Sequence, residues 1–289
     1  MKPAPFDYVQ PESIEEACRL LADAGGGATV IAGGQTLMPL LNLRMSQPFI
    51  LVDINRIAAL KGITRTDQAT RIGPATVQAD ALNDATLQER LPALVRALSH
   101  VGHYQTRNRG TIGGSVALGE PAAEMPATAV ALGAHLEITS ASGTRTVPAD
   151  AFYLGPYMTV LEPEELVTGI VYPDWPKGHI VLFREVAQRP GDFALVGFVG
   201  AVAHEEGRIT RAGLAWFGMG PTPIRAREAE AALIGSIVGD IDADAIAKLA
   251  LAPTAPFDDH HASAEYRRTV GKRILTRGLQ EAFAMENAA

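Results

Sequence analysis

The 289-residue chain has one cysteine, Cys18, and this scarcity excludes whole classes of site. An internal disulfide needs two cysteines, and an iron–sulfur cluster held by one chain needs several thiolates. Cys18 falls on the apolar face of a predicted helix, where a cysteine packs as a small hydrophobic residue. We therefore expect no disulfide and no iron–sulfur cluster within this chain, and we assign no metal ligand.

Positive charge and long apolar runs are scarce as well. The formal net charge is −7 and the isoelectric point about 5.5, and no basic stripe runs along the sequence. A nucleic-acid partner needs such a basic surface, and a membrane-spanning helix needs an apolar run of about 20 residues. No charged-then-apolar leader follows Met1. We expect a cytoplasmic protein that binds no nucleic acid and spans no membrane.

Hydrophobic periodicity predicts an α+β fold in two parts. Residues 1–175 mix helices and strands, whereas residues 178–289 begin with a small sheet and continue with helices, so we place the boundary at Pro173–Gly178. Three strand candidates within 179–217 are joined by short connections, which is typical of antiparallel neighbours. The predicted helices span about residues 14–24, 79–89, 92–99, 125–132, 224–234, 242–250 and 265–284.

Two separate Gly-Gly pairs are the most informative local feature. Gly33-Gly34 ends the predicted buried strand "ATVIAGG", and Gly113-Gly114 stands in "RNRGTIGGSVALGEPAAEMPA". Glycine permits positive φ and close approach of a ligand to the backbone, and successive exposed amides form an anion site. We predict two such cradles, at residues 33–36 and 111–115. They suit a diphosphate, or one large ligand held from two sides.

Other interpretations are weaker. Neither loop fits G-x-G-x-x-G and no P-loop lysine follows, which disfavours a Rossmann or nucleotide triphosphatase site. The alternative that both pairs are tight turns alone stays open. His100 and His103 are interpreted as polar helix-end residues because no third metal ligand lies nearby in the sequence. Asp258–His261 is interpreted as a solvated loop before the last helix.

These segments together resemble a known family. "AGGQTLMPLLNLR" followed by "VDINRI", and then the second Gly-Gly segment, are similar to the two flavin signatures of the medium, FAD-binding subunit of molybdenum hydroxylases. Carbon monoxide dehydrogenase and xanthine dehydrogenase represent this family. "QRPGDFALVG", residues 188–197, resembles a third family segment. The resemblance implies a two-part FAD-binding α/β domain of the PCMH type, followed by a C-terminal domain of a small antiparallel sheet and helices.

The resemblance also implies which residues lie near FAD. Glu124 stands where the family has an acidic residue near the cofactor, Arg184 where relatives often carry lysine, and Phe193 near the position that approaches the isoalloxazine ring. The implied cofactor-binding residues are Ala32, Gly33, Gly34, Gln35, Thr36, Leu37, Thr111, Ile112, Gly113, Gly114, Ser115, Glu124, Arg184 and Phe193. No catalytic residue is assigned, because the implied electron transfer requires neither a protein nucleophile nor an acid–base pair.

The implied function is electron transfer within a heterotrimeric molybdenum hydroxylase. A small partner subunit would carry [2Fe–2S] clusters and a large one molybdopterin, in a dimer of heterotrimers. FAD on this chain would pass the electrons to an external acceptor. Two alternatives stay open: a stand-alone FAD-dependent oxidase or reductase of the same fold with its own substrate pocket, and a flavin-binding scaffold that docks partners.

Overall fold

The computed structural model describes residues 2–286, which form helices and strands in four sheets. The α-helices are α1 (Ile14–Asp23), α2 (Leu37–Asn42), α3 (Gln78–Leu82), α4 (Ala85–Arg90), α5 (Pro92–Leu98), α6 (Tyr104–Arg107), α7 (Ile112–Leu118), α8 (Glu124–Ala131), α9 (Arg227–Leu233), α10 (Ala243–Leu251) and α11 (Ala264–Glu286). The strands are β1 (Asp7–Val9), β2 (Ala28–Ile31), β3 (Ile50–Asp53), β4 (Ile63–Arg65), β5 (Ala69–Ile72), β6 (His135–Ser140), β7 (Gly143–Pro148), β8 (Tyr153–Gly155), β9 (Met158–Thr159), β10 (Leu166–Pro173), β11 (Ile180–Ala187), β12 (Ala194–Glu205), β13 (Arg208–Phe217) and β14 (Ile224–Arg225).

The first sheet is parallel, with β3 between β1 and β2. Helix α1 packs on it and begins where the sequence predicts. Ser13 Oγ accepts a hydrogen bond from the backbone of Glu16 at 3.1 Å, and Glu16 Oε2 accepts one from the backbone of Glu12 at 2.9 Å. Such reciprocal capping stabilises the first turn. Cys18 is buried on the apolar face of α1, as predicted.

The second sheet is antiparallel, in the order β4-β5-β10-β6-β7. The sequence of residues 62–77 and of residues 135–150 predicts one hairpin each. Both hairpins are confirmed by the antiparallel pairing of β4 with β5 and of β6 with β7. Strand β10 runs through the middle and is buried along nearly its whole length. Helices α5 and α8 contribute their apolar side chains to the same core as this sheet.

The third sheet is the predicted antiparallel meander, β11-β12-β13, extended by the short strand β14. Helices α9, α10 and α11 share a core with one of its faces. Helix α8 packs against the other face so closely that a Cβ on Gly213 would lie 2.1 Å from the carbonyl oxygen of Ala131. This contact lies at the C-terminal end of α8, and Glu124 stands at the other end of the same helix.

Three predicted elements differ from those observed. The helix expected over residues 79–89 is divided into α3 and α4, because Asp84 caps a new helix by accepting a hydrogen bond from the backbone of Leu87 at 2.9 Å. Residues 224–225 form β14 instead of a helix, since they pair with β13. The second Gly-Gly pair lies in the first turn of α7 and not in a loop.

The two predicted parts of the chain share one core. Strand β10 ends at Pro173 and β11 begins at Ile180, so the connection crosses the predicted boundary. One continuous cluster of buried side chains nevertheless includes Ile170 before the connection and Phe217 after it. The division at Pro173–Gly178 therefore stays a prediction. Within residues 2–286, no helix has the length and apolar character needed to cross a membrane.

Arg267 is a buried cation that ties α11 to the third sheet. Its guanidinium donates hydrogen bonds to the carbonyl oxygens of Leu195 and Gly218 and pairs with Asp259 at 2.7 Å. Removal of the guanidinium leaves the two carbonyl oxygens and Asp259 without this partner. We therefore expect Arg267→Ala to lower the free energy of unfolding, measured in urea, by about 3 kcal/mol or more. The matched control, Arg273→Ala at an exposed position of α11, should cost less than about 0.5 kcal/mol. Equal losses for the two variants would contradict this assignment.

Candidate functional site

Both Gly-Gly segments line one cleft of about 710 Å³, although they lie far apart in the sequence. Helix α7, the start of α8 and the loop before β12 complete its walls. The predicted site residues that line it are Ala32, Gly33, Gly34, Gln35, Thr36, Leu37, Thr111, Gly113, Gly114, Ser115, Glu124 and Phe193. Ile112 and Arg184 do not. A smaller cleft of about 600 Å³ adjoins at Gly33–Gln35.

The first Gly-Gly pair leaves backbone donors unpaired at the cleft. Gly34 has a φ of +69°, and this left-handed conformation turns the chain from β2 toward α2. No atom of residues 2–286 accepts a hydrogen bond from the backbone N–H of Gly34, Gln35 or Thr36. Three consecutive open amides before a helix attract an anion. The geometry therefore suits the cradle predicted for residues 33–36.

The second Gly-Gly pair has a different structure, which corrects the prediction of a second backbone cradle. Its amides donate within the chain: Gly114 N to Thr111 Oγ1 at 3.0 Å, Ile112 N to Thr76 O, Gly113 N to Pro74 O, and Ser115 N to Thr111 O. None of these four N–H groups is therefore free for a phosphate. Threonine is a favoured N-cap residue. Thr111, directly before the Gly-Gly pair, is therefore a sequence signal for the start of α7.

Close packing, more than open donors, explains glycine at two of these positions. A Cβ on Gly33 would lie 2.2 Å from the carbonyl oxygen of Arg109, and one on Gly113 would lie 2.2 Å from Pro74 Cβ. Both distances are far below van der Waals contact, so any side chain would push the segments apart. Gly114 is different because it is exposed, and a Cβ there would meet Thr111 Oγ1 at 2.9 Å and Ala32 Cβ at 4.0 Å.

Asp53 and Asn55 hold the first Gly-Gly segment in place, and sequence reasoning did not select them. Asn55 Nδ2 donates to the carbonyl oxygen of Ala32 at 2.8 Å and to Asp53 Oδ1 at 2.6 Å. Burial acts to raise the pKa of Asp53, but hydrogen bonds led by that from the Tyr8 hydroxyl outweigh it and lower the pKa. The polar residues of "VDINRI", directly after a buried strand, are the sequence signal for this support.

A pair of acidic side chains lies at and behind the inner wall of the cleft. Glu124 is 4% exposed, and burial, followed by the charge of Glu185, raises its pKa to about 8. Burial also raises the pKa of Glu185 to about 7. Glu185, on β11, is a second residue that the sequence reasoning missed. At neutral pH this part of the protein therefore carries less negative charge than its composition suggests.

A second acid of the cleft, Glu120, is held by hydrogen bonds. The Tyr157 hydroxyl donates to Glu120 Oε2, and the backbone of Ala122 donates to Oε1 at 2.9 Å. Burial and this hydrogen bond raise the pKa of Tyr157 to about 12. Tyr157 also adopts a φ of +58°, which is strained for a residue with a side chain. The hairpin β8–β9 is thereby tied to the cleft.

Three other predicted residues occupy distinct places. Phe193 stands at the cleft and is largely exposed to solvent. Ile112 is fully buried and packs beneath the cleft in the core. Arg184 pairs with Glu281 of α11, so its assignment to the cofactor stays a prediction with no contact in this cleft to support it.

Comparisons with known proteins agree with the fold and with the cleft. Two family models match the chain: "FAD binding domain in molybdopterin dehydrogenase" over residues 4–175, and "CO dehydrogenase flavoprotein C-terminal domain" over residues 181–282. The 6-hydroxypseudooxynicotine dehydrogenase complex subunit alpha of Paenarthrobacter nicotinovorans is 41% identical over 284 residues, which cover 98% of this chain and 96% of the relative. The carbon monoxide dehydrogenase medium chain of Hydrogenophaga pseudoflava is 35% identical, with coverage of 98% and 99%.

Solved structures extend the likeness to the whole fold. A carbon monoxide dehydrogenase structure from Hydrogenophaga pseudoflava superimposes with a TM-score of 0.94 at 37% identity, covering 98% of this chain and 99% of that one. Quinoline 2-oxidoreductase from Pseudomonas putida 86 superimposes with a TM-score of 0.91 at 34% identity and the same coverage. The resemblance found in the flavin signatures is confirmed. The chain belongs to the family of FAD-binding medium subunits of molybdenum hydroxylases, and it is an oxidoreductase subunit with an FAD-binding domain.

Proposed function

We propose that this chain binds one FAD in the cleft and transfers electrons within a heterotrimeric molybdenum hydroxylase. Electrons from [2Fe–2S] clusters on a small partner subunit pass through this chain to an external acceptor, and a large molybdopterin subunit oxidises the organic substrate. The complex is proposed to be a cytoplasmic dimer of heterotrimers. The observation that carries this proposal is the convergence of both signature segments on a single cleft of about 710 Å³.

The residues that line the cleft fit FAD. Its volume falls within the range of roughly 300–1,000 Å³ that is usual for ligand pockets. The open amides of Gly34, Gln35 and Thr36 would hold the anionic diphosphate, and apolar side chains such as Leu118 and Val167 suit flat rings. FAD bound there supplies the redox chemistry, accepting and passing on electrons, while the protein supplies binding and orientation.

Protonation and ion pairing keep the cleft from repelling an anionic cofactor. With a pKa of about 8, the Glu124 carboxyl is mostly neutral at pH 7 and is able to donate a hydrogen bond. Glu165 is ionised, but Arg145 pairs with it at 2.6 Å and lowers its pKa. Glu124 and Glu165 therefore add little repulsion toward a diphosphate.

A stand-alone oxidase would need a substrate pocket of its own. The adjoining cleft of about 600 Å³, lined by Tyr8, Asp53 and Arg109, is a place in this chain for one. However, Tyr8 donates a hydrogen bond to Asp53, and Asp53 supports the first Gly-Gly segment through Asn55. Because these side chains already serve the fold, we favour the electron-transfer role.

Gly114→Val tests the placement of FAD. Gly114 is helical, exposed and on the cleft, so valine should deny FAD its close approach. Because the valine Cβ would also lie 2.9 Å from Thr111 Oγ1, the cap of α7, urea unfolding of the variant must first show that it folds. Loss of hydrogen bonds to a charged ligand costs about 1.5–3 kcal/mol, and we expect the Kd for FAD to rise at least about tenfold. Fluorescence titration of the flavin-free chain measures this. Ala85→Val, exposed in α4 and outside the cleft, should leave the Kd unchanged, and equal affinity in both variants would refute the placement.

The electron route is tested by reconstitution. The visible flavin absorption of the isolated, FAD-loaded chain should persist when substrates of molybdenum hydroxylases are added, because the proposed oxidation occurs on another subunit. It should bleach when the iron–sulfur and molybdopterin subunits are also present. Bleaching by an organic substrate in the isolated chain would support the stand-alone oxidase instead.

A further inference from the structure

Two acidic side chains share a buried region next to the cleft without a strong cationic partner. Glu124 lines the cleft at the start of α8, and the Glu185 side chain on β11 is 6% exposed. Within residues 2–286, neither carboxyl group forms an ion pair with lysine or arginine, and Glu185 Oε2 accepts no hydrogen bond. Ionised groups are costly in such surroundings, so buried acids keep their protons unless something compensates the charge.

His100 connects this acidic pair to solvent. Its Nδ1 lies 3.5 Å from Glu185 Oε2, and its side chain is 39% exposed. The imidazole packs against Phe183, with ring centroids 4.6 Å apart, so its position is defined by the core. Glu124 at the cleft, Glu185 behind it and His100 at the surface therefore form a series of proton-binding groups.

The electrostatics of the series suit proton movement near neutral pH. The pKa is about 8 for Glu124 and about 7 for Glu185. Burial, followed by the charge of Arg96 on α5, lowers the pKa of His100, so the imidazole is neutral at pH 7. Arg184, the neighbour of Glu185 on β11, pairs with Glu281 of α11 and does not compensate either acid.

We propose that Glu124, Glu185 and His100 form a proton path from solvent to the cofactor cleft. The proposal rests on the proposed function, because a reduced flavin takes up protons as well as electrons. Packing alone does not explain why these two buried residues are glutamates, because glutamine would fill the same space. A glutamate differs in that it can release and rebind a proton, which the path requires.

Each proton transfer in this path is balanced, and no electron moves through these three side chains. Glu124 gives its carboxyl proton to the cleft and becomes a carboxylate, and protonated Glu185 restores it. Glu185 then takes the Nδ1 proton of His100, while His100 takes a proton from water at Nε2 and returns to its first tautomer by exchange with solvent. One proton thus moves from water to the cleft, while electrons arrive from the reduced clusters of the partner subunit.

The first test needs no cofactor, so it is independent of the proposed function. The free energy of unfolding of the flavin-free chain is measured in urea between pH 5 and pH 9. Folded-state pKa values raised above the ordinary value of 4.5 give stability that is full below that value, falls as pH rises above it, and is lost by about pH 7 for Glu185 and about pH 8 for Glu124. We expect this fall in the wild type, and a smaller fall in Glu124→Gln and Glu185→Gln.

Glu165→Gln is the matched control for the stability test. Arg145 lowers the pKa of Glu165 below 4.5, so this variant should lose a similar amount of stability at every pH of the series and keep the fall between pH 5 and pH 8. A fall in stability between pH 5 and pH 8 that is as steep in both Glu124→Gln and Glu185→Gln as in the wild type would overturn the assignment of protons to this pair.

The second test follows proton uptake directly. The FAD-loaded chain is reduced photochemically in weak buffer with a pH-indicator dye, and flavin reduction and proton uptake are recorded together. Glu185→Gln and His100→Gln should retain FAD but take up protons roughly a hundredfold more slowly, as for removal of a positioned proton donor. Glu205→Gln, an exposed residue far along β12, should match the wild type.

The outcomes separate this proposal from the proposed function. Unchanged proton uptake in both Glu185→Gln and His100→Gln would overturn the path while FAD binding stands. Failure of the wild-type chain to bind FAD would overturn the proposed function. The urea measurements would still show whether Glu124 and Glu185 hold protons at neutral pH. Slow proton uptake in Glu185→Gln and His100→Gln, together with a smaller fall in stability with pH in the two glutamine variants of the acids, would establish the path.

Discussion

The close contact between Gly33 and the backbone at Arg109 is the constraint on which the cleft depends. Because a Cβ there would lie 2.2 Å from a carbonyl oxygen, only glycine lets the first signature segment lie directly against the second. Asn55 and Asp53 then fix the segment from the other side by hydrogen bonds to Ala32 and to each other. The open amides of the first cradle are therefore supported by packing on one side and by a polar network on the other.

Helix α8 connects this cleft to the rest of the molecule. It packs against the third sheet through the contact between Ala131 and Gly213, and it places Glu124 at the wall of the cleft. The same placement removes Glu124 from water and brings it near Glu185, so the fold itself determines the raised pKa. Stability and cofactor chemistry are coupled here because one helix serves both the core and the cleft.

The sequence predicts the features whose causes are local. The start of α1, both hairpins and the meander of the third sheet depend on caps, turns and periodicity within a few residues, and these predictions are confirmed. The second Gly-Gly pair was predicted as a loop, whereas the start of α7 is held by hydrogen bonds from Ile112 to Thr76 and from Gly113 to Pro74, which lie more than thirty residues earlier. The role of Asn55 was missed for the same reason, since its partner Ala32 lies 23 residues earlier, just after β2. In both cases the structure depends on a hydrogen-bond partner that is distant in the sequence, and local sequence patterns do not reveal such partners.

The register of strand β11 decides which of its side chains faces helix α8, and the sequence alone does not determine this register. Successive side chains of a strand point to opposite faces, and the pairing of Arg184 with Phe198 and of Glu185 with Gly197 fixes which one points toward α8. With the opposite register, a guanidinium beside Glu124 would hold that carboxyl ionised and add fixed charge to the cleft. The observed register sends Arg184 to Glu281, and among the described residues 2–286 neither Glu124 nor Glu185 pairs with a lysine or an arginine. Acids in that situation lower their free energy by keeping their protons, so the capacity to hold a proton beside the cleft follows from the register of one strand.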